Sequence, residues 1–127
     1  NFSDKEANVD VLQYETKCYE KSLEIAKNAG IIDDQILLDP GIGFGTTRDE
    51  DMRLLQALKE KDRILLGVSR KRIVAALLDR ETKADERAAG SVGIALAGIS
   101  NGVKVVRVHD VRETVDAVKT FTKVLGL

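Results

Sequence analysis

Residues 36–45 read ILLDPGIGFG, and this stretch decides the fold. Ile36-Leu37-Leu38 is a short apolar run closed by Asp39-Pro40-Gly41, the pattern of a strand buried on both faces and ended by turn residues. The pattern recurs downstream. Ile64-Leu65-Leu66-Gly67-Val68 runs directly into the polar Ser69-Arg70-Lys71-Arg72, and Val103, Val105, Val106 and Val108 lead to Arg107, His109 and Asp110. Helical stripes separate the runs. Met52, Leu54, Leu55 and Leu58 share one face behind a capping box, Thr47 with Glu50. A helix is expected from about Lys71 to Leu78. Another is expected from about Ala84 to Ile99, with small Ala88, Ala89, Ser91, Ala95 and Gly98 suited to close packing and Asn101-Gly102 as its stop.

Upstream, Val11, Leu12, Cys18, Tyr19, Ile25 and Ala26 keep one apolar face along a helix from Asp10 to Ala29, with Gly30 after it. Val111, Val115, Val118, Phe121 and Leu125 trace the last helix. The order is α-β-α-β-α-α-β-α. Crossovers of this length join parallel strands, so the fold class is α/β, built of parallel (β/α) units. Three parallel strands cannot close a barrel, which needs about eight. The chain is therefore read as a small open sheet or as roughly half a barrel. No linker, repeat or low-complexity tract divides it, and residues 1–127 are treated as one unit.

The composition excludes several classes of function. The chain has 127 residues, 43% of them hydrophobic and 32% charged, as in a globular domain. Its formal charge of -1 offers no general attraction for nucleic acid or an anionic membrane, so an anion site has to be local. Its apolar runs are far shorter than the roughly 18 residues of a membrane span. Cys18 has no second Cys for an internal disulfide or a zinc site, which fits a reducing, cytoplasmic setting. The polar opening NFSDKEANVD begins at Asn1 rather than Met and has no signal-peptide core, which suggests a piece of something longer.

In parallel α/β folds, ligands gather at the carboxyl ends of the strands. Asp39 is suited to accept two donors of a planar heterocycle, although an Asp before Pro-Gly more often forms a turn. Gly41, Gly43 and Gly45 permit close ligand approach or a plain turn. Phe44 either walls an aromatic ligand or packs beneath the loop. Ser69-Arg70-Lys71-Arg72 opens a helix, pointing to an anion, with a solvated basic turn as the alternative. Arg107 shares a strand face with Val103 and Val105. If buried there, it needs an acidic partner or a ligand. His109, the only histidine, lies two residues further on that face and is placed to donate to phosphate. Tyr14, Cys18 and Met52 are assigned to packing. Residues 80–87 are read as a solvated connector, with Arg87 placed to face the rim.

The segments DPGIGFG at 39–45, GVSRK at 67–71 and RVHDV at 107–111, in this order, closely resemble the dihydropteroate synthases of folate biosynthesis. The resemblance implies the last three strands of a TIM-type (β/α)8 barrel, the carboxyl-terminal portion of a pterin-binding domain. By it, Asp39 binds the pterin ring, Lys71 meets the ring's carbonyl edge, and Arg107 stacks on the ring and joins His109 on the pyrophosphate. Phe44, Gly43, Lys71 and Arg72 line the p-aminobenzoate pocket. The family condenses dihydropterin pyrophosphate with p-aminobenzoate. Its magnesium ligands lie outside the segments present, so no metal ligand is assigned here. Self-association or a homodimer is an expected option. Three positions depart from the family pattern: Thr46 replaces a Lys, Asp51 an Asn, and Arg72 the Ser that meets the p-aminobenzoate carboxylate. A non-catalytic pterin- or phosphate-binding module, or a pterin-binding methyltransferase domain, are the alternatives, and GVSRK with RVHDV argues against the second.

Overall fold

The computed structural model of the chain describes residues 2–126, so the expectation attached to Asn1 lies outside the described residues. Five α-helices surround a minimal parallel sheet: α1 (Val11–Asn28), α2 (Arg48–Gln56), α3 (Arg72–Leu77), α4 (Ala88–Ser100) and α5 (Val111–Leu125). The strands are β1 (Leu65–Leu66) and β2 (Val105–Val106), paired in parallel with Leu65 opposite Val105 and Leu66 opposite Val106. The chain alternates between sheet and helix as the sequence predicts.

The first expected strand is reduced to a single parallel bridge between Leu38 and Ile64. Leu38 N–H donates to Arg63 O and Leu65 N–H to Leu38 O, each at 2.9 Å. Ile36-Leu37-Leu38 was expected to be buried on both faces, yet Leu37 is 46% exposed. This segment lies at the outer edge of the sheet, and among the described residues no further strand pairs with it. The expected helix over 84–99 also divides, with a 3-10 turn at Ala84–Arg87 preceding α4. Lys83 N–H donates to Glu86 Oε2 at the start of that turn, and Arg87, at φ -97° and ψ 10°, leaves helical geometry before α4 begins.

Local chemistry accounts for the starts of α1 and α2. Asp10 caps α1 through Oδ1, which accepts from Leu12 N–H at 3.0 Å and Gln13 N–H at 3.2 Å. The capping box of α2 forms as read: Thr47 Oγ1 accepts from Glu50 N–H at 3.2 Å, and Glu50 Oε2 accepts from Thr47 N–H at 2.9 Å. No helix among the described residues is long and apolar enough to cross a membrane.

The core joins Leu54, Leu55 and Leu58 to Ile64, Leu66, Val68, Ile73, Val74 and Val103. α4 sits close against it because two of its glycines leave room. A Cβ on Gly98 would stand 2.8 Å from Leu66 Cδ2, and one on Gly90 would stand 2.7 Å from Val74 Cγ1. The polar opening conceals a core residue, since Phe2 is only 6% exposed.

α1 is less apolar in its contacts than its spacing suggests. Ile25 is exposed, while Glu15 is buried and ion-paired with Lys61. Burial, and then the nearby Glu15 carboxylate, push the Tyr19 hydroxyl far above its ordinary range. The last helix follows its predicted span, but Val111, Val115 and Leu125 remain exposed.

Candidate active site

The loop 39–46 reaches the rim through three left-handed glycines, Gly41, Gly43 and Gly45, at φ of 70°, 78° and 86°. It is supported from beneath. Phe2 N–H donates to Phe44 O at 2.9 Å, and the Phe2 ring lies where a Gly41 Cβ would be, 2.8 Å from its position. From the side, the buried Asp51 carboxylate accepts from Gly43 N–H at 2.9 Å and from Thr46 Oγ1 at 2.5 Å. Two of the departures, Thr46 and Asp51, thus form one latch on the loop. The Phe under the loop is Phe2, whereas Phe44 is 58% exposed above it.

Asp39 serves its turn and keeps an oxygen beyond it. Its Oδ1 accepts from Gly41 N–H at 2.8 Å. Its Oδ2 faces the buried Gly67 of the second loop: a Cβ there would stand 3.9 Å from Asp39 Oδ2 and 3.6 Å from Arg107 Nε. A carboxylate and a guanidinium therefore converge beside Gly67, each at ordinary contact distance from where a Cβ would stand. Arg107 is exposed, so the demand that burial would place on it does not arise. Val105, on the same face, is itself 39% exposed, so this side of β2 is open rather than packed.

The side chains of the basic segment do not converge on one point. Its members disperse. Buried Ser69 accepts from His109 N–H at 3.2 Å, and its hydroxyl lies 3.1 Å from His109 Nδ1. Arg70 pairs with Asp110 through two bonds, Nη2 to Oδ1 at 2.6 Å and Nε to Oδ2 at 3.2 Å. The pair lowers the Asp110 carboxyl and raises the Arg70 guanidinium from their ordinary values. Lys71 donates to Ile42 O and holds its ammonium 4.4 Å from the centre of the Phe44 ring. Burial lowers the Lys71 ammonium below its usual range, with Arg107 pushing the same way and Asp39 and Asp51 opposing. Only Arg72, the first residue of the six-residue α3, is exposed.

Gly43, Lys71 and Arg72 line a groove of about 550 Å³ together with Thr46, Asp51 and Arg48. The structure thus brings Asp39 and Arg107 together across Gly67, His109 to Ser69, and Gly43, Lys71 and Arg72 into one groove, while Phe44 joins through Lys71. Sequence reasoning missed two supporting residues and one set of links. Phe2 was hidden in a polar run, Gly67 inside an apolar one, and the links from Arg87 and Ser91 to Arg70 span 17 and 21 residues with no local pattern. Among the described residues, no group of three or more His, Cys, Asp or Glu stands together to hold a metal ion.

Comparison with known proteins places the chain in a family. Residues 2–109 match the family described as pterin binding enzyme. The dihydropteroate synthase of Neisseria meningitidis serogroup C is 43% identical over 104 residues, which cover 78% of this chain and 36% of that protein. The synthase of Escherichia coli K12 is 33% identical over 121 residues, covering 92% of this chain and 42% of that protein. Among solved structures, Xanthomonas albilineans dihydropteroate synthase in complex with 7,8-dihydropteroate superposes with a TM-score of 0.86 at 32% identity, covering 98% of this chain and 49% of that one. The same enzyme with 4-aminobenzoic acid gives 0.87 at 33% identity, covering 98% and 46%. The chain spans less than half the length of these relatives. It belongs to the family of pterin-binding enzymes.

Proposed function

We propose that this chain supplies the pterin-facing part of a dihydropteroate synthase, the last three strands of a (β/α)8 barrel, acting in the cytoplasm. The observation that carries this is the convergence of Asp39 Oδ2 and Arg107 Nε beside Gly67 at the rim. A flat ring seated there offers its amino and ring N–H donors to Asp39, its carbonyl to Lys71 and one face to Arg107.

In the reaction, the p-aminobenzoate nitrogen forms a bond to the pterin methylene as the bond from that carbon to the pyrophosphate oxygen breaks. The nitrogen loses a proton, and pyrophosphate leaves with the bonding electrons. Arg107 and His109 meet the negative charge that grows on the leaving group, a role for preorganised donors. Contact of His109 Nδ1 with Ser69 leaves Nε2 to face the ligand. The groove of Gly43, Lys71 and Arg72 beside Phe44 receives p-aminobenzoate. Magnesium, expected in the complete enzyme, would be held by residues outside these segments.

The test is calorimetric titration with dihydropterin pyrophosphate. Asp39→Asn keeps an oxygen for Gly41 N–H but turns an amide donor toward the ring's donors, so affinity is expected to fall by about 1 to 3 kcal/mol while the fold is retained. Affinity equal to the parent's would remove Asp39 from the site. Sedimentation of the same sample reports the self-association that the open sheet edge favours.

A further inference from the structure

Arg70 is the strained point of the second loop. Its φ is +62°, a left-handed angle that costs a side-chain-bearing residue free energy. Its backbone is nevertheless held on both polar sides by side chains from beyond α3. Its N–H donates to Ser91 Oγ at 2.9 Å, and its carbonyl accepts from Arg87 Nη1 at 2.8 Å. Those two residues are joined in turn, since Ser91 Oγ donates to Arg87 O at 2.7 Å. Arg87 is anchored at its other nitrogens, with Nε donating to Thr82 Oγ1 at 2.9 Å and Nη2 to Thr82 O at 2.7 Å. Each of its three guanidinium nitrogens is thus engaged with the protein, which makes it a fastening rather than a free anion ligand.

The residues on either side of Arg70 contact the two halves of the site. Ser69 holds the His109 ring, and Lys71 reaches Ile42 O and the Phe44 face. Their separation depends on the left-handed step between them. An extended or right-handed Arg70 would redirect the backbone on one side of it relative to the other.

We propose that Arg87 and Ser91 are positioning residues. Together they clamp Arg70 in its left-handed conformation and so aim Ser69 at His109 and Lys71 at the glycine loop. The affinity arm of the test rests on the pterin reading above, and the spectroscopic arm does not.

In the protein carrying this chain, the His109 imidazole resonances and the affinities for pyrophosphorylated and bare pterin are compared in four variants. Ser91→Ala is expected to shift and broaden the His109 resonances. It is also expected to weaken the pyrophosphorylated ligand by about five- to tenfold, more than the bare ring, as loss of a buried hydrogen-bond partner predicts. Arg87→Gln, at a half-buried position, is expected to act in the same direction. Ser91→Thr keeps the hydroxyl and is expected to retain both readouts. Leu58→Ala, a core truncation away from the loop, is expected to lower the melting temperature and move neither. Parental resonances and affinity in Ser91→Ala would overturn the proposal. So would equal changes in Leu58→Ala, or a loss in Ser91→Thr matching that in Ser91→Ala. If no form binds a pterin, the functional reading fails, while the His109 resonances still decide for or against the clamp.

Discussion

In the loop at 39–46 the left-handed backbone angles fall on Gly41, Gly43 and Gly45, whereas in the turn at 69–72 the left-handed residue is Arg70. Glycine takes such angles with no Cβ to clash, so the first loop carries its shape in its own residue types. An arginine does not. In the second turn Ser91 and Arg87 grip the Arg70 backbone and Asp110 its side chain, all from other elements. One loop is encoded locally and the other by distant hydrogen bonds, although both end on the same rim.

The largest expected effect tests the local encoding. A Cβ on Gly45 would lie 2.6 Å from Ser3 N, a backbone atom that cannot yield cheaply, and its φ is +86°. Gly45→Ala should therefore destabilise the fold by about 3 kcal/mol, strain and overpacking together. Gly43 has only Lys71 Cδ at 3.5 Å, so Gly43→Ala should cost about 1 to 2 kcal/mol from the backbone angle alone. Denaturant unfolding of the two variants gives the ranking. Equal losses would mean that the brace beneath the loop contributes nothing.

An intermediate effect addresses the distant encoding through pH. Hydrogen bonding to Arg70 holds the Asp110 carboxyl below its ordinary value, and Arg53 and Lys5 do the same for Asp10 and Glu50. A carboxyl lowered on folding stabilises fully above its unfolded value, roughly 4, and loses that contribution as pH falls through the folded value. Melting temperature should hold from neutral pH to about 5 and decline below about 4. Asp110→Asn should decline less steeply, because one of the three contributions is gone. Identical slopes for parent and variant would separate the Arg70–Asp110 pair from stability.

The smallest effect concerns Arg72, the basic residue that the turn leaves outside its grip. If it meets the p-aminobenzoate carboxylate in the groove, Arg72→Ser in the complete enzyme should raise KM for that substrate by at most about fivefold, the limit for an exposed ion pair. The salt dependence of that KM should weaken, with pterin affinity unchanged. Identical kinetics at low and high salt would place Arg72 in solvent.

The same contrast explains what could be read from the sequence. Glycine positions, the Thr47–Glu50 capping box and the alternation of apolar runs with helical stripes are written in neighbouring residues, and each appears as expected. Leu38, Ile64–Leu66 and Val105–Val106 do align in parallel. Their ladders are shorter than the apolar runs because a strand is defined by its partner, and the outer edge at Leu37 has none among the described residues. The basic segment Ser69-Arg70-Lys71-Arg72 suggested one anion site, because its partners Asp110, Ile42 O and His109 lie roughly 30 to 40 residues away in the chain. Phe2 escaped notice for the same reason: its burial depends on Gly41 and Phe44.

That bond from Phe2 to Phe44 ties the rim to the beginning of the described chain, and thermodynamic linkage between them is reciprocal. Whatever loosens the seat of Phe2 taxes every ligand that needs the loop in place. Conversely, a ligand that holds the loop must return the same free energy to the amino-terminal segment as slower amide exchange there, far from any atom the ligand touches.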